Sequence, residues 1–152
     1  MLGYSGRYLY SIDNKGRINL PSRFRKMTEG KIFVISKGLE ECLFVFPEAR
    51  WAQYLKGFMP MTFAKKADRD FFRLLFSNTE YVKLDDQGRL KINDDLRDYA
   101  KLKREALILG VMDHIEMWNP EYWESYHKGI AKSYPQLAEE ALGQIDLSKY
   151  IE

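Results

Sequence analysis

Apolar and polar residues alternate through two short stretches of the chain in the same way. Ile12 precedes, and Ile18 and Leu20 follow, the polar segment Asp13-Asn14-Lys15-Gly16-Arg17; Leu84 precedes, and Leu90 and Ile92 follow, Asp85-Asp86-Gln87-Gly88-Arg89. Alternation of this kind predicts a β-hairpin with one buried face and a tight polar turn. Gly16 and Gly88 fall where such a turn needs a positive φ. Asp13 and Asp85 are placed to brace the turn through backbone N–H groups or the arginine four residues on. Two further apolar runs, Ile32 to Ser36 and Leu39 to Phe46, flank Lys37-Gly38 and predict a second hairpin; Ala106 to Leu109 and Val111 to Trp118 flank Gly110 in the same manner.

Between these runs the period lengthens to that of a helix. Ser22 to Met27 and Asn93 to Tyr99 predict short helices, with Ser22 and either Asn93 or Asp94 as N-caps. Glu48 to Lys56 and Glu121 to Lys132 follow Pro47 and Pro120 and predict longer ones, with Trp51 and Trp123 turned inward. Phe63 to Phe76 has Ala67, Phe71, Leu74 and Leu75 spaced for one helical face, and Pro135 to Leu142 predicts a last amphipathic helix.

Asp13 maps onto Asp85 at an offset of 72 (85 − 13 = 72), and the same offset carries Arg17 to Arg89, Arg25 to Arg97, Gly38 to Gly110 and Trp51 to Trp123. The chain is an internal duplication. Its predicted division is 1–60 for the first half, 61–79 for a connecting helix, 80–132 for the second half and 133–152 for an acidic tail. Each half is too small to bury much alone, so the two are expected to share one core.

Composition supports a folded chain, with 45% hydrophobic and 14% aromatic residues among 152. The formal charge is only +2, but it is unevenly spread. Arg7, Lys15, Arg17, Arg23, Arg25 and Lys26 face Asp13 alone near the start, whereas Glu139, Glu140, Asp146 and Glu152 dominate the tail. That polarity suits an anionic ligand at the basic end, and equally a solvated charged surface. With one cysteine, and no leader pattern or long apolar span, the expectation is a cytosolic protein with no membrane partner.

The opening Met1-Leu2-Gly3-Tyr4, the two Asp-x-x-Gly-Arg turns, Leu20-Pro21-Ser22-Arg23-Phe24-Arg25, Phe46-Pro47 with Trp51, Arg73-Leu74-Leu75-Phe76-Ser77 and Leu96-Arg97-Asp98-Tyr99-Ala100 resemble the bacterial MraZ family, in order, from residue 1 to about Trp123. Asn93 stands where many members have proline. The resemblance implies a mixed β fold with short helices: a duplicated AbrB/SpoVT-like swapped-hairpin β-barrel whose halves act as a pseudo-dimer. It also implies a sequence-specific transcriptional regulator, repressing its own promoter at the head of the division and cell-wall gene cluster. Such proteins assemble as a homo-oligomeric closed ring such as an octamer, and the implied location is the cytoplasm, at the nucleoid.

On promoter DNA, Lys15, Gly16 and Arg17 of one turn and Gln87, Gly88 and Arg89 of the other form the expected contact set, with Asp13 and Asp85 in support. Arginine can grip guanine with two donors, glutamine can read adenine, and lysine can hold a phosphate or guanine. The glycines are expected to let the backbone approach the duplex. A second reading stands beside this one: each Asp–Arg pair merely clamps its own hairpin. Arg7, Arg23, Arg25 and Lys26 divide in the same way between phosphate contacts and ordinary surface. An enzyme is the rival from another class, with Cys42 and His114 at equivalent positions of the two halves, but both lie in apolar runs and no third orienting group is evident. No cofactor and no metal spacing are expected. A third reading is a ring-forming protein-interaction module without specific DNA binding.

Overall fold

The computed structural model describes residues 3–61 and 63–151; Met1 and Leu2 of the family-like opening, Thr62 of the connecting segment and Glu152 of the tail lie outside the described residues. The chain divides into two compact units, 1–120 and 121–152. In the first, β1 (Arg7–Ser11), β2 (Arg17–Asn19) and α1 (Ser22–Met27) lead to β3 (Ile32–Lys37), β4 (Leu43–Pro47) and α2 (Glu48–Phe58). After α3 (Lys66–Ser77) come the counterparts β5 (Glu80–Lys83), β6 (Arg89–Lys91), α4 (Asp94–Tyr99), β7 (Glu105–Val111) and β8 (His114–Trp118).

The strands interleave the two repeats. One antiparallel sheet has the order β1-β7-β8-β4-β3-β5, and β2 pairs only with β6 in a separate two-stranded ladder. The expected first hairpin is therefore a turn without a long ladder behind it. Asp13 N–H donates to the Arg17 carbonyl at 3.0 Å and a single bridge joins Ile12 to Ile18. Beyond that the arms part, β1 to β7 and β2 to β6. Exchanging arms lets Ile12, Ile18, Leu20 and Phe24 of the first repeat and Leu84, Leu90, Ile92 and Leu96 of the second enter one buried cluster. A half-domain this small could not exclude water from those residues alone. The larger sheet keeps two edges, β1 and β5, so among the described residues its hydrogen-bonded ladder does not close into a barrel.

Several local expectations change with this arrangement. Pro21, not Ser22, occupies the α1 N-cap and no side chain caps that helix, whereas Asn93 caps α4 by accepting from Leu96 N–H at 2.8 Å. Gly110 is inside β7, and the turn falls at Met112 and Asp113, with Met112 at φ 61°. What requires glycine at 110 is a close approach: a Cβ there would lie 2.3 Å from Ser5 N. On α3 the buried residue is Phe72, which meets Phe58, Phe63 and Phe76 at centroid distances of 5.5 to 5.9 Å. Phe71 and Leu74, expected to face inward, are exposed.

Trp51 is buried as expected. The second unit holds α5 (Pro120–Ala131), α6 (Tyr134–Leu142) and a 3-10 turn at Leu147–Tyr150. Trp123 of α5 is only half-buried, against Tyr126 and His127. No helix among the described residues is long and apolar enough to cross a membrane.

Candidate nucleic-acid interface

Each turn is built around one carboxylate. Asp13 Oδ1 accepts from the backbone N–H of Lys15 and of Arg17, both at 2.9 Å, while Oδ2 accepts from Arg17 Nε at 2.7 Å. Asp85 repeats this with Gln87 N–H and Arg89 N–H at 2.9 Å and Arg89 Nε at 2.8 Å. Gly16 and Gly88 complete the turns at φ 79° and 76°. An aspartate followed four residues later by arginine, with glycine between, thus fixes both the backbone and the root of the guanidinium.

Among the described residues the clamp holds Arg17 through Nε, and its outer guanidinium nitrogens make no bond to Asp13. Arg17 and Arg89 keep 30% and 21% of their side-chain exposure, and Lys15 and Gln87 at the tips are fully on the surface. The ion-pair reading and the outward reading are both satisfied in part, because the carboxylate aims a side chain it does not enclose.

Pairing of β2 with β6 sets the turns side by side, with Arg17 opposite Lys91 and Asn19 opposite Arg89. The flanking bonds, Ile92 N–H to Gly16 O at 2.9 Å and Leu20 N–H to Gly88 O at 3.0 Å, make both of these non-hydrogen-bonded pairs, in which side chains stand closest. Ile18 and Leu90 point into the core, so Arg17, Asn19, Arg89 and Lys91 share the outer face. Lys91 and Asn19 were missing from the contact set expected from the sequence. Alternation alone puts Asn19 on the face of Arg17 and Lys91 on that of Arg89; strand pairing adds that Lys91 stands against Arg17 and Asn19 against Arg89.

The short helices flank this face crosswise. Arg25 of α1 lies over the second turn, its Nη1 2.5 Å from where a Cβ on Gly88 would sit, and it donates to Leu20 O at 3.1 Å. Arg97 of α4 lies over the first turn, against Gly16, and pairs with Asp94. Both turn glycines are buried. The space a side chain would need there is filled by a protein arginine on one side, besides any approach of a ligand on the other. Arg7, at the start of β1, is separated from the first turn by six residues of extended chain, roughly 20 Å, and does not join the face.

Asp13 is held well below the ordinary carboxylate range, at about 2, chiefly because Arg17 N–H donates to its charged form; Asp85 is lowered for the same reason by Arg89 N–H. The folded-state value is depressed, so the carboxylate's support of the turn is present above the ordinary value of about 4 and is lost as pH falls through about 2. Side-chain carboxyl NMR is expected to show Asp13 titrating near 2, with the Lys15 and Arg17 amides shifting at the same midpoint. A midpoint near 4 would mean that these bonds do not persist in solution.

Cys42 and His114, on which the enzyme reading rests, do not make a nucleophile and its base. Cys42 adjoins the Leu43–Met117 end of the β4–β8 pairing and His114 the Val45–Ile115 end. The thiol is fully buried and burial pushes its pKa up, which opposes thiolate chemistry. His114 is instead held between Asp113 and Glu116, each at 2.8 Å. Among the described residues no group of three His, Cys, Asp or Glu side chains could hold a metal.

An internally duplicated, strand-exchanged β protein carrying paired Asp-braced basic turns is the class these features define. A family model described as "MraZ protein, putative antitoxin-like" matches twice, over residues 4–74 and 75–145, so the chain belongs to the MraZ family. It is 38% identical over 136 residues to the Transcriptional regulator MraZ of Desulforamulus reducens, covering 90% of this chain and 95% of the relative. To the protein of the same name from Finegoldia magna it is 38% identical over 144 residues, covering 95% and 99%. That of Moorella thermoacetica is 39% identical over 136 residues, covering 90% and 94%.

Proposed function

We propose that the chain is a sequence-specific DNA-binding transcriptional regulator that represses its own promoter, at the head of the division and cell-wall gene cluster, by gripping repeated promoter boxes through its paired turns. The observation that carries this reading is the outer face of the β2–β6 ladder. There Arg17, already paired with Asp13, stands directly opposite Lys91, so that one carboxylate is left to meet two cross-strand cations. Lys15 adds a third cation at the same corner, and neither lysine has an ion-pair partner among the described residues. A polyanion supplies the missing charge.

In this reading the repeats act as the two halves, 1–60 and 80–132, of a swapped-hairpin pseudo-dimer. The segment 61–79, which holds α3, connects them, and 133–152 is the acidic tail. One chain offers few base contacts, so affinity comes from several subunits of a closed ring, such as an octamer, engaging successive boxes at high effective concentration. Exposed Phe71 and Leu74 on α3 supply apolar surface for neighbouring subunits. The protein works in the cytoplasm at the nucleoid, without a cofactor.

The test is binding at physiological salt to a duplex carrying the sequence upstream of the protein's own reading frame, against a scrambled duplex of equal composition. A preference of roughly a thousandfold or more is expected. Equal, weak and purely salt-driven binding to both would overturn the reading in favour of a protein-interaction module.

A further inference from the structure

The two turns descend from one repeated unit, yet they are chemically unlike, and the strand exchange sorts the differences into a row. At the first corner stand Lys15, Arg17 and, from across the ladder, Lys91, against the single carboxylate of Asp13. At the second corner the equivalent positions hold Gln87, Arg89 and Asn19, with Asp85 and the exposed Asp86 beside them. Arg89 is moreover shared between carboxylates, bonding Asp85 and lying 3.8 Å from Asp13. The first corner is an excess of cations. The second holds two amides and a guanidinium set between two carboxylates.

Beyond the second corner the sign turns positive again. Arg25 covers that turn, and Arg23 and Lys26 of the same helix are exposed. Beyond the first corner it turns negative: on α4 the Asp94 carboxylate is paired with Arg97, which lies over that turn, and Asp95 and Asp98 are exposed beside them. Across the face the sequence is therefore acid, cation, amide, cation.

Resting on the DNA-binding reading, we infer that each subunit docks off its own pseudo-twofold axis. The second corner enters a groove and reads base edges, while the first corner and α1 hold the two phosphate strands that border it. Amides and carboxylates suit base edges: Asn and Gln pair with adenine, and a carboxylate accepts from cytosine N4. Lysine and free guanidinium suit phosphates, whose contacts set position and salt dependence without sequence information. The carboxylates of α4 repel a phosphate strand from the remaining side and so fix which way round the subunit sits.

The test uses full-length protein and the same two duplexes, own-upstream and scrambled, titrated over a range of salt. Lys91→Gln is expected to flatten the log affinity against log salt slope by about one unit per engaged subunit on both duplexes, leaving their affinity ratio unchanged. The double variant Asn19→Ala/Gln87→Ala is expected to lower that ratio roughly 5- to 150-fold with the slope unchanged. All these positions are exposed, and matching thermal melts confirm that the variants fold. If Lys91→Gln shifts the ratio instead of the slope, or the amide variant leaves the ratio intact, the division of roles is wrong although the protein still binds DNA. If the wild type shows no preference between the duplexes, the regulator reading itself fails, and this inference with it.

Discussion

Phe24→Ala is expected to lower the free energy of unfolding by roughly 3–5 kcal/mol, a large part of the 5–15 kcal/mol that a domain commonly has. Phe24 is fully buried and its ring meets Tyr4 and Tyr8 edge-on at 5.3 and 5.4 Å. It is also the one buried residue of α1, a six-residue helix without a side-chain cap. A helix that short has no independent stability, so its anchorage rests on this ring. Urea unfolding checks the magnitude. A variant that does fold should also bind DNA more weakly, because Arg25, one residue along, loses its seat over Gly88. Phe24→Leu, which keeps most of the volume, should restore much of both properties. A loss under 1 kcal/mol for the alanine variant would mean that α1 is held by something other than this core contact.

The sequence was most informative where chemistry is local. The Asp13 and Asp85 turns and the spans of α1 and α4 each depend on residues within a few positions of one another and stand where the residue types put them; of the two caps offered for α4 it is Asn93 that serves, while Ser22 is not the cap of α1. Partnership between distant segments was less legible. Alternation around Ile12, Ile18 and Leu20 specifies which face is buried but not which strand lies alongside, and an exchanged arm buries the same residues as a hairpin arm. That is why the partners of Lys91 and Asn19 stayed hidden: alternation puts both on the outer face, but that they stand against Arg17 and Arg89 follows from β2–β6 pairing alone. Gly110 misled for a related reason. A glycine between two apolar runs reads as a turn, yet here it admits the backbone of Ser5 against β7. On α3, a shift of one residue, from Phe71 to Phe72, rotates the buried stripe by about 100°, within the freedom that an aromatic-rich segment leaves open. The two family matches bear out the resemblance to MraZ proteins; of the fold class it implied, the paired repeats of sheet and short helix are present, while the ladder among the described residues does not close into a barrel.

Removing both turn carboxylates, Asp13→Ala/Asp85→Ala, should distinguish a brace from a bystander by the sign of its effect. If the aspartates are only negative charges near DNA, their loss strengthens binding to every duplex. If they aim the arginines, specific binding falls, because each carboxylate holds two backbone N–H groups and one Arg Nε. Arg17 then loses its fixed exit toward the phosphates and Arg89 its fixed exit toward the base edges, where one well-formed bidentate contact is worth about 1–3 kcal/mol of discrimination. The expected result is a split. Affinity for scrambled DNA rises slightly, while the preference for the own-upstream duplex drops by roughly 5- to 150-fold for the base-reading turn of each engaged subunit. Asp13→Asn/Asp85→Asn should fall between, since an amide oxygen still accepts from the turn backbone but no longer attracts the guanidinium. A uniform gain on both duplexes would place the arginines' orientation in the β2–β6 ladder itself, where Arg17 already stands against Lys91 and Arg89 against Asn19, and would leave the repeated aspartates as turn formers only.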